Sequence, residues 1–596
     1  VDGADWDYLN ALAAAGRVPN WSRLSKEGYG ATLESFVPIL SPLVWTTQAT
    51  GVGPDVHRVL DFQEVDRETG VLVPVSGASR KVPAVWSIAS HLGRRVGVVR
   101  FWATHPAEKV KGFFLSDRLD PGTSRAPSPG VAFPASLDEA VTRVLERDGR
   151  VSIEDLQEYL NVPDQEIRAA LASRAEEPNL VSSLGKLVAS TRVTHRLARE
   201  LYDRERPDFL AVYYQGTDEV GHLFAPYAPP QLACTDAADF ERFRRVPEVY
   251  FAMFDALLGQ WMRRAKEDKA TLILTSDHGF RWGADRPCGK ASTEGATAAL
   301  WHRLEGVFLA WGEGVPALRA QRRATAFDVA PTFLALMDLP PDRRMRGSVI
   351  PLRPSLSAKA AEDLFPKVAV ETVAATAIDR EQANEYARRL LALGYLSGAD
   401  AAAQGVPAKA SAGLTKGGWN NLGVYLRFTA QDDAAARKAW EESLALDPRY
   451  ASPLLNIATL EKDRGRFAEA GRWLLKAIAA GQHDAEHTVA RWAGEFERRR
   501  PGAGLALLAG VHSAYRGNEA FARQYALLLA RNRRCREGKE VIKPLEGSNQ
   551  SETLNVAAVI EGCLDRPDRV RLLLQRSLEI DPSQPRVRDA IAALPP

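Results

Sequence analysis

The sequence predicts an α/β domain on a mostly parallel sheet sandwiched by helices, followed by an all-α solenoid of repeats. Three observations carry this. Short apolar, partly β-branched runs at 95–99, 209–214, 271–275 and 306–310 alternate with helix-like stretches, the pattern of a sheet buried on both faces. An Ala/Gly/Ser-rich stretch, Ser397 to Lys416, reads as a flexible linker. From Trp419 onward the pattern is helical and repeats itself. The 596 residues, 45% hydrophobic and with a net charge of +2, suit large cores and exclude a polybasic nucleic-acid binder. No run of 18 apolar residues occurs, so no transmembrane segment is expected in this chain.

Taken in order, Val1-Asp2-Gly3 reads as the end of a hydrophobic strand. An export signal or lipid anchor would lie upstream, so the expected location is extracytoplasmic, periplasmic or membrane-attached, with the cytoplasm left open. Residues 120–205 break the strand–helix rhythm. A Pro/Gly/Ser stretch from Pro121 to Pro134 leads into a helical region, expected as an insertion or cap. Residues 328–353 read as a closing helix and strand, giving a first domain over 1–355. Residues 356–396 are expected to be helical, ending in Leu393-Gly394-Tyr395-Leu396, and 356–417 form a helical extension and linker before a repeat domain at 418–596. Cys234, Cys288, Cys535 and Cys563 are scattered and form no CxxC, which argues against a cysteine zinc module and a disulfide scaffold.

Within the last domain, Asn421-Leu422-Gly423 is echoed by Asn456-Ile457-Ala458, and Ser443 to Pro448 by Ser577 to Pro582. Ser443, Trp440 and Ala436 alternate small and large, as do Ala477, Leu474 and Ala470. That spacing lets two helices of a hairpin approach closely. The segment resembles tetratricopeptide repeats, strongly at 419–484 and 551–585 and weakly between. Such repeats imply a concave face for a protein or peptide partner.

Ligands of open parallel sheets bind beyond the carboxyl ends of the strands. Asp2, Asp218 with His222, and Asp277 with His278 all follow apolar runs, and His302 precedes one. Carboxylates and imidazoles together suit zinc, manganese or iron, and six ligands suit two ions. Each pair alone is equally readable as loop or core residues. Ser41, after Val37-Pro38-Ile39-Leu40 and before Pro42, would be a helix N-cap whose hydroxyl meets the positive helix end. Ordinary capping explains it as well.

Asp2-Gly3, Ser41 with Thr50-Gly51, Pro54-Asp55-Val56-His57, Asp218-Glu219-Val220-Gly221-His222, Ser276-Asp277-His278-Gly279 and His302 occur in one order. Residues 1–353 therefore resemble the alkaline phosphatase superfamily, in its type I phosphodiesterase and nucleotide pyrophosphatase branch. The resemblance implies two zinc ions, one held by Asp218, His222 and His302, the other by Asp2, Asp277 and His278 with Ser41 alongside. It also implies Ser41 as nucleophile, with Thr46 as the alternative, and a covalent phospho-enzyme. Arg58 and Asp61-Phe62 depart from the nucleotide pyrophosphatase pattern. His57, Asp61 and His105 are expected near the substrate, with structural roles open for both histidines. The resulting expectation is a two-metal phosphodiesterase with a repeat module. Its alternatives are a phosphomonoesterase or phospho-group transferase, or an interaction scaffold with a degenerate hydrolase domain.

Overall fold

The computed structural model describes residues 1–595 apart from 67, 120–126, 174–178, 289–297, 321–322, 375–386, 389, 392, 394, 396–409, 412, 482–484, 513–514 and 516–517. Most of the expected linker, and the start of the Pro/Gly/Ser stretch at 121–134, lie outside the described residues. The chain divides into two compact units, Val1–Ala436 and Arg437–Pro596.

Two sheets carry the first unit. In one, Val96–Val99 runs parallel to both Gly112–Leu115 and Phe209–Val212, and Ala132–Phe133 adds an antiparallel edge. In the other, Glu305–Trp311 pairs antiparallel with Tyr29–Glu34 and with Leu272–Thr275. Leu318–Arg319 and Ala324–Thr325 join Tyr29–Glu34 in parallel. The first two residues link the sheets: Val1 N donates to Thr275 O at 2.9 Å and Asp2 N to Tyr214 O at 3.0 Å.

Alternation along the strands explains the layers. Val96, Val98 and Phe114 point to one face, where Val85, Trp86 and Ile88 of the helix Val85–His91 cover them. Val99, Phe113 and Leu115 point to the other, against Val193, Leu197 and Leu201 of the 26-residue helix Leu180–Glu205. Both phenylalanines are fully buried, and truncating either to alanine would cost about 3–5 kcal/mol. The helix Leu180–Glu205 belongs to the segment expected as a cap, yet it forms a layer of the core.

Two further expectations are corrected. Residues 356–374 are not helical: among them Asp342 Oδ2 accepts the Leu364 and Phe365 N–H groups at 2.8 and 2.7 Å, and Pro366 has no N–H to continue a helix. The four cysteines form two disulfides, Cys234–Cys288 and Cys535–Cys563, with Cα atoms 6.0 and 5.8 Å apart. Their partners are distant in sequence, so spacing rules for local motifs could not find them.

The helix Lys416–Phe428 belongs to the first unit. Its Tyr425 is buried against Phe36 and accepts a hydrogen bond from Arg346 at 2.6 Å, and Asn421 Nδ2 donates to Leu60 O at 3.0 Å.

The second unit is a succession of helices. Ala451–Asp463 with Phe467–Ala479, and Ser551–Cys563 with Pro567–Ile580, are equivalent hairpins. Glu461 and Glu561 are both buried, and each accepts the charge of the arginine at the following turn, Arg466 and Arg566. Gly465 and Asp565 take the same left-handed turn position, with φ of 74° and 58°. Ala470, Leu474 and Ala477 in one hairpin match Val570, Leu574 and Ser577 in the other as buried contacts. Between them the sequence echo fades but the helices continue. Glu497 takes over the capping there, accepting the N–H groups of Gly502, Gly504 and Leu505 at 3.0–3.2 Å. No helix among the described residues is long and apolar enough to cross a membrane.

Candidate metal centre and active site

The six Asp and His residues meet in one buried cluster. Asp2 stands between the two sheets, and the helix Gly216–Phe224 beyond Phe209–Val212 carries Asp218 and His222 one turn apart. Asp277 and His278 follow Leu272–Thr275. His302 arrives on the short strand His302–Arg303, paired with Gly279–Phe280. All six are at most 2% exposed.

Two overlapping groups have ligand geometry: Asp2, Asp277 and His278, and Asp218, His278 and His302. His278 spans both, with Nε2 3.3 Å from Asp2 Oδ1, 3.4 Å from Asp277 Oδ2 and 3.8 Å from Asp218 Oδ1. His222 Nε2 lies 3.3 Å from Asp218 Oδ1 and 3.0 Å from His302 Nε2. The tautomers follow from the outer partners. His302 Nδ1 lies 3.2 Å from Ile39 O and His278 Nδ1 3.0 Å from Gly279 O, so a proton on each Nδ1 leaves the Nε2 lone pairs facing the cluster. Gly221 makes room for this packing, since a Cβ there would stand 2.7 Å from the Phe280 ring.

The electrostatics call for cations. Asp2, Asp218 and Asp277 are buried, and among the described residues their ion pairs are with histidines alone. Asp218 Oδ1, Asp277 Oδ2 and His278 Nε2 have no hydrogen-bond partner, and such groups are costly unless something compensates them. Burial and the Asp2 charge push the Asp277 carboxyl well above its usual range. Burial acts to raise Asp2 too, but His278 and Tyr213 hold it below its usual value. Burial alone would lower His278, and Asp277 and Asp2 override it, raising the imidazole to about 10, so the carboxylates hold a proton on Nε2 that a bound cation would replace. Burial and the neighbouring imidazoles drive His302 well below its ordinary value. The orphaned oxygens, the inward lone pairs and the oxygen–nitrogen donor set fit divalent metal ions.

Ser41 borders the first group. It is the first residue of the helix Ser41–Thr50, and Leu40 holds the cap position, so the expected N-cap role is corrected. Its hydroxyl donates to Asp2 Oδ1 at 3.4 Å, and no side chain caps the N–H groups of the helix start. Thr46 Oγ1 donates to Pro42 O at 2.6 Å and Thr47 Oγ1 pairs with His57 Nε2 at 3.1 Å. Neither threonine faces the cluster through its hydroxyl. Gln48 ties this helix to the Asp277 loop, donating to Ser276 O and accepting from Thr275 Oγ1, both at 3.0 Å. Gly51 ends the helix at φ 70°, a conformation glycine takes without strain.

The other candidates sit elsewhere. His57 is buried between Thr47 and the Val59 N–H, and burial with the Arg80 charge pushes it down to about 3. His105 pairs with Ser116 and is pushed down to about 4, by burial and then by Arg118. Asp61 accepts the Phe62 N–H at 2.8 Å. None of the three joins either ligand group.

Sequence reasoning missed three aromatic partners. Tyr213, at the end of its apolar run, donates to Asp2 Oδ2 and receives Trp102 Nε1 at 2.6 Å. Trp45 Nε1 donates to Asp2 Oδ2 at 3.3 Å. Tyr395 donates to Asp218 Oδ2 at 2.7 Å. Position after a strand was a signal for Tyr213, whereas Tyr395 gave none.

The family model described as type I phosphodiesterase / nucleotide pyrophosphatase matches residues 1–330. Among solved structures, wild-type alkaline phosphatase PafA aligns at 13% identity over 59% of this chain and 96% of its own, with a TM-score of 0.40. Phosphonoacetate hydrolase from Sinorhizobium meliloti 1021 aligns at 19% identity over 47% of this chain, with a TM-score of 0.30. This chain spans 55% of that hydrolase's length. A thermophilic TPR protein of Thermus thermophilus aligns at 18% identity over 30% of this chain and 98% of its own, with a TM-score of 0.18. No curated protein matches.

Proposed function

The chain belongs to the type I phosphodiesterase / nucleotide pyrophosphatase family, and on that premise we propose that it is a two-metal phosphodiesterase that uses Ser41 as its nucleophile. The observation that carries the reading is the Ser41 hydroxyl on Asp2, beside buried carboxylate and imidazole atoms that lack partners. Asp2, Asp277 and His278 would hold one ion, and Asp218, His222 and His302 the other, with His278 in reach of both. Zinc fits this donor set, and two such ions would supply Lewis-acid polarisation and neutralise charge developing on the phosphoryl oxygens.

The chain's own residues do the rest. Asp2 Oδ1 accepts the Ser41 hydrogen bond and holds Oγ beside the first ligand group, where a bound ion would lower the pKa of the hydroxyl. In-line attack by Oγ forms a Ser41 phosphodiester and releases the first alcohol. Water entering on the Asp218–His302 side then cleaves that ester and restores the serine. Tyr213 and Trp45, both donating to Asp2 Oδ2, keep this carboxylate in one orientation. The second unit supplies a helical-repeat surface for a peptide or protein partner. Two disulfides support an extracytoplasmic location, where thiols are oxidised.

The test is hydrolysis of bis-p-nitrophenyl phosphate beside p-nitrophenyl phosphate by zinc-loaded protein and by Ser41→Ala. Diester turnover lost in Ser41→Ala supports the reading. Activity that survives Ser41→Ala overturns the nucleophile. Faster monoester turnover replaces the diesterase with a phosphatase.

A further inference from the structure

Tyr395 reaches the metal centre from a segment far along the chain. Its hydroxyl donates to Asp218 Oδ2 at 2.7 Å and lies 3.1 Å from His222 Nε2 and 3.5 Å from His302 Nε2. Its ring stands 4.6 Å from Phe62 and 5.1 Å from the His222 ring, centroid to centroid. Ala387, Leu390 and Leu393, just before it, are buried in the same apolar cluster as Phe62 and Trp102. The tyrosine is only 7% exposed, and Ser41 only 2%. A phenol oxygen thus occupies the polar end of the site, and a phenol ring fills the aromatic wall behind it.

The position has a chemical meaning, given the proposed hydrolase on which this inference rests. In-line displacement places the entering and leaving oxygens on opposite sides of phosphorus. Ser41 is anchored at Asp2, in the first ligand group. The leaving oxygen therefore belongs at Asp218, His222 and His302, where the Tyr395 hydroxyl sits. We propose that the Tyr395 side chain fills the leaving-group subsite, that the subsite accepts an aromatic alcohol and its phosphate esters, and that the chain occludes its own site with this phenol. Turnover then requires Tyr395 to yield to the substrate's ring. No bond to Tyr395 forms or breaks.

Removing the side chain empties the subsite, so the full-length Tyr395→Ala variant, checked for a native circular dichroism spectrum, is titrated with phenol by calorimetry. Saturable phenol binding in the variant, absent from the wild type and not reproduced by cyclohexanol, supports the proposal. A folded Tyr395→Ala that binds no phenol overturns it. If alanine prevents folding, Tyr395→Phe decides, because it keeps the ring and removes the anchoring hydroxyl. A KM for an aryl phosphodiester lowered at least about threefold, with zinc content retained, supports self-occlusion. A raised KM or lost zinc in Tyr395→Phe overturns it, because the hydroxyl then serves the metal ligands. Phenol binding is read without turnover. An inactive wild type would sink the hydrolase reading separately, while the calorimetry still tests the subsite.

Discussion

The Nε2 atoms of His222 and His302 stand 3.0 Å apart within the buried cluster. His302 Nδ1 is matched to the Ile39 carbonyl, so its Nε2 lone pair faces His222. Two imidazole nitrogens at this distance either share a proton or converge on a cation. We expect His302→Ala and His222→Ala each to lower bound zinc from about two ions per chain to about one, read by elemental analysis. Diester hydrolysis should fall at least about 100-fold, since even the outer partners of ligands cost 10–100-fold. Unchanged zinc content in both variants would remove these residues from the ligand set.

Gly221 lets the helix of Asp218 and His222 lie against Phe280. Gly221→Ala should cost about 1–3 kcal/mol by overpacking and weaken zinc retention by displacing His222. Phe280→Leu in the same chain should recover part of the loss. Urea unfolding and zinc content after dialysis measure both. A Gly221→Ala protein of wild-type stability would show that the ring moves freely.

Acid stability should depend on two buried histidines outside the cluster. His195, between Tyr214 and Gln260, is pushed down to about 4, chiefly by burial. His57 is pushed down to about 3. An imidazole depressed in the fold resists protonation there while the unfolded chain takes the proton. Stability is therefore complete above about pH 6.5 and falls as pH drops towards 4. The His195 contribution to that loss is up to about 3 kcal/mol. His195→Gln should flatten the decline of unfolding free energy between pH 6.5 and 4, and an unaltered slope would refute the assignment.

The bridge Cys535–Cys563 spans 28 residues of the repeat unit. A loop of that length constrains the unfolded chain by about 3–4 kcal/mol. Protein unfolded without reductant should show no reactive thiol. Cys535→Ser/Cys563→Ser should melt earlier, as followed by circular dichroism. Four thiols titrating in untreated protein would contradict both bridges and the extracytoplasmic placement.

Much of the site was legible because its motifs lie where strands end. Asp218 and His222 share a helix face by their spacing of four, and Asp277-His278 follows an apolar run, so local rules found them. Ser41 was legible as a hydroxyl at a helix start, but the cap role expected for it falls to Leu40, and its hydroxyl turns to Asp2, a contact that spacing does not reveal. Residues 356–374 misread as helix because an apolar pattern cannot reveal that Asp342 captures their N–H groups.

By itself the sequence determined the alternation of strands and helices, the helical repeat and the ordered Asp, His and Ser motifs, since periodicity and spacing act between near neighbours. Only the tertiary structure decided that His278 spans both ligand groups, that the cysteines pair across 54 and 28 residues, and that Tyr395 reaches Asp218. These contacts join segments whose approach depends on how whole layers pack, and side-chain identity along the chain carries no record of that distance.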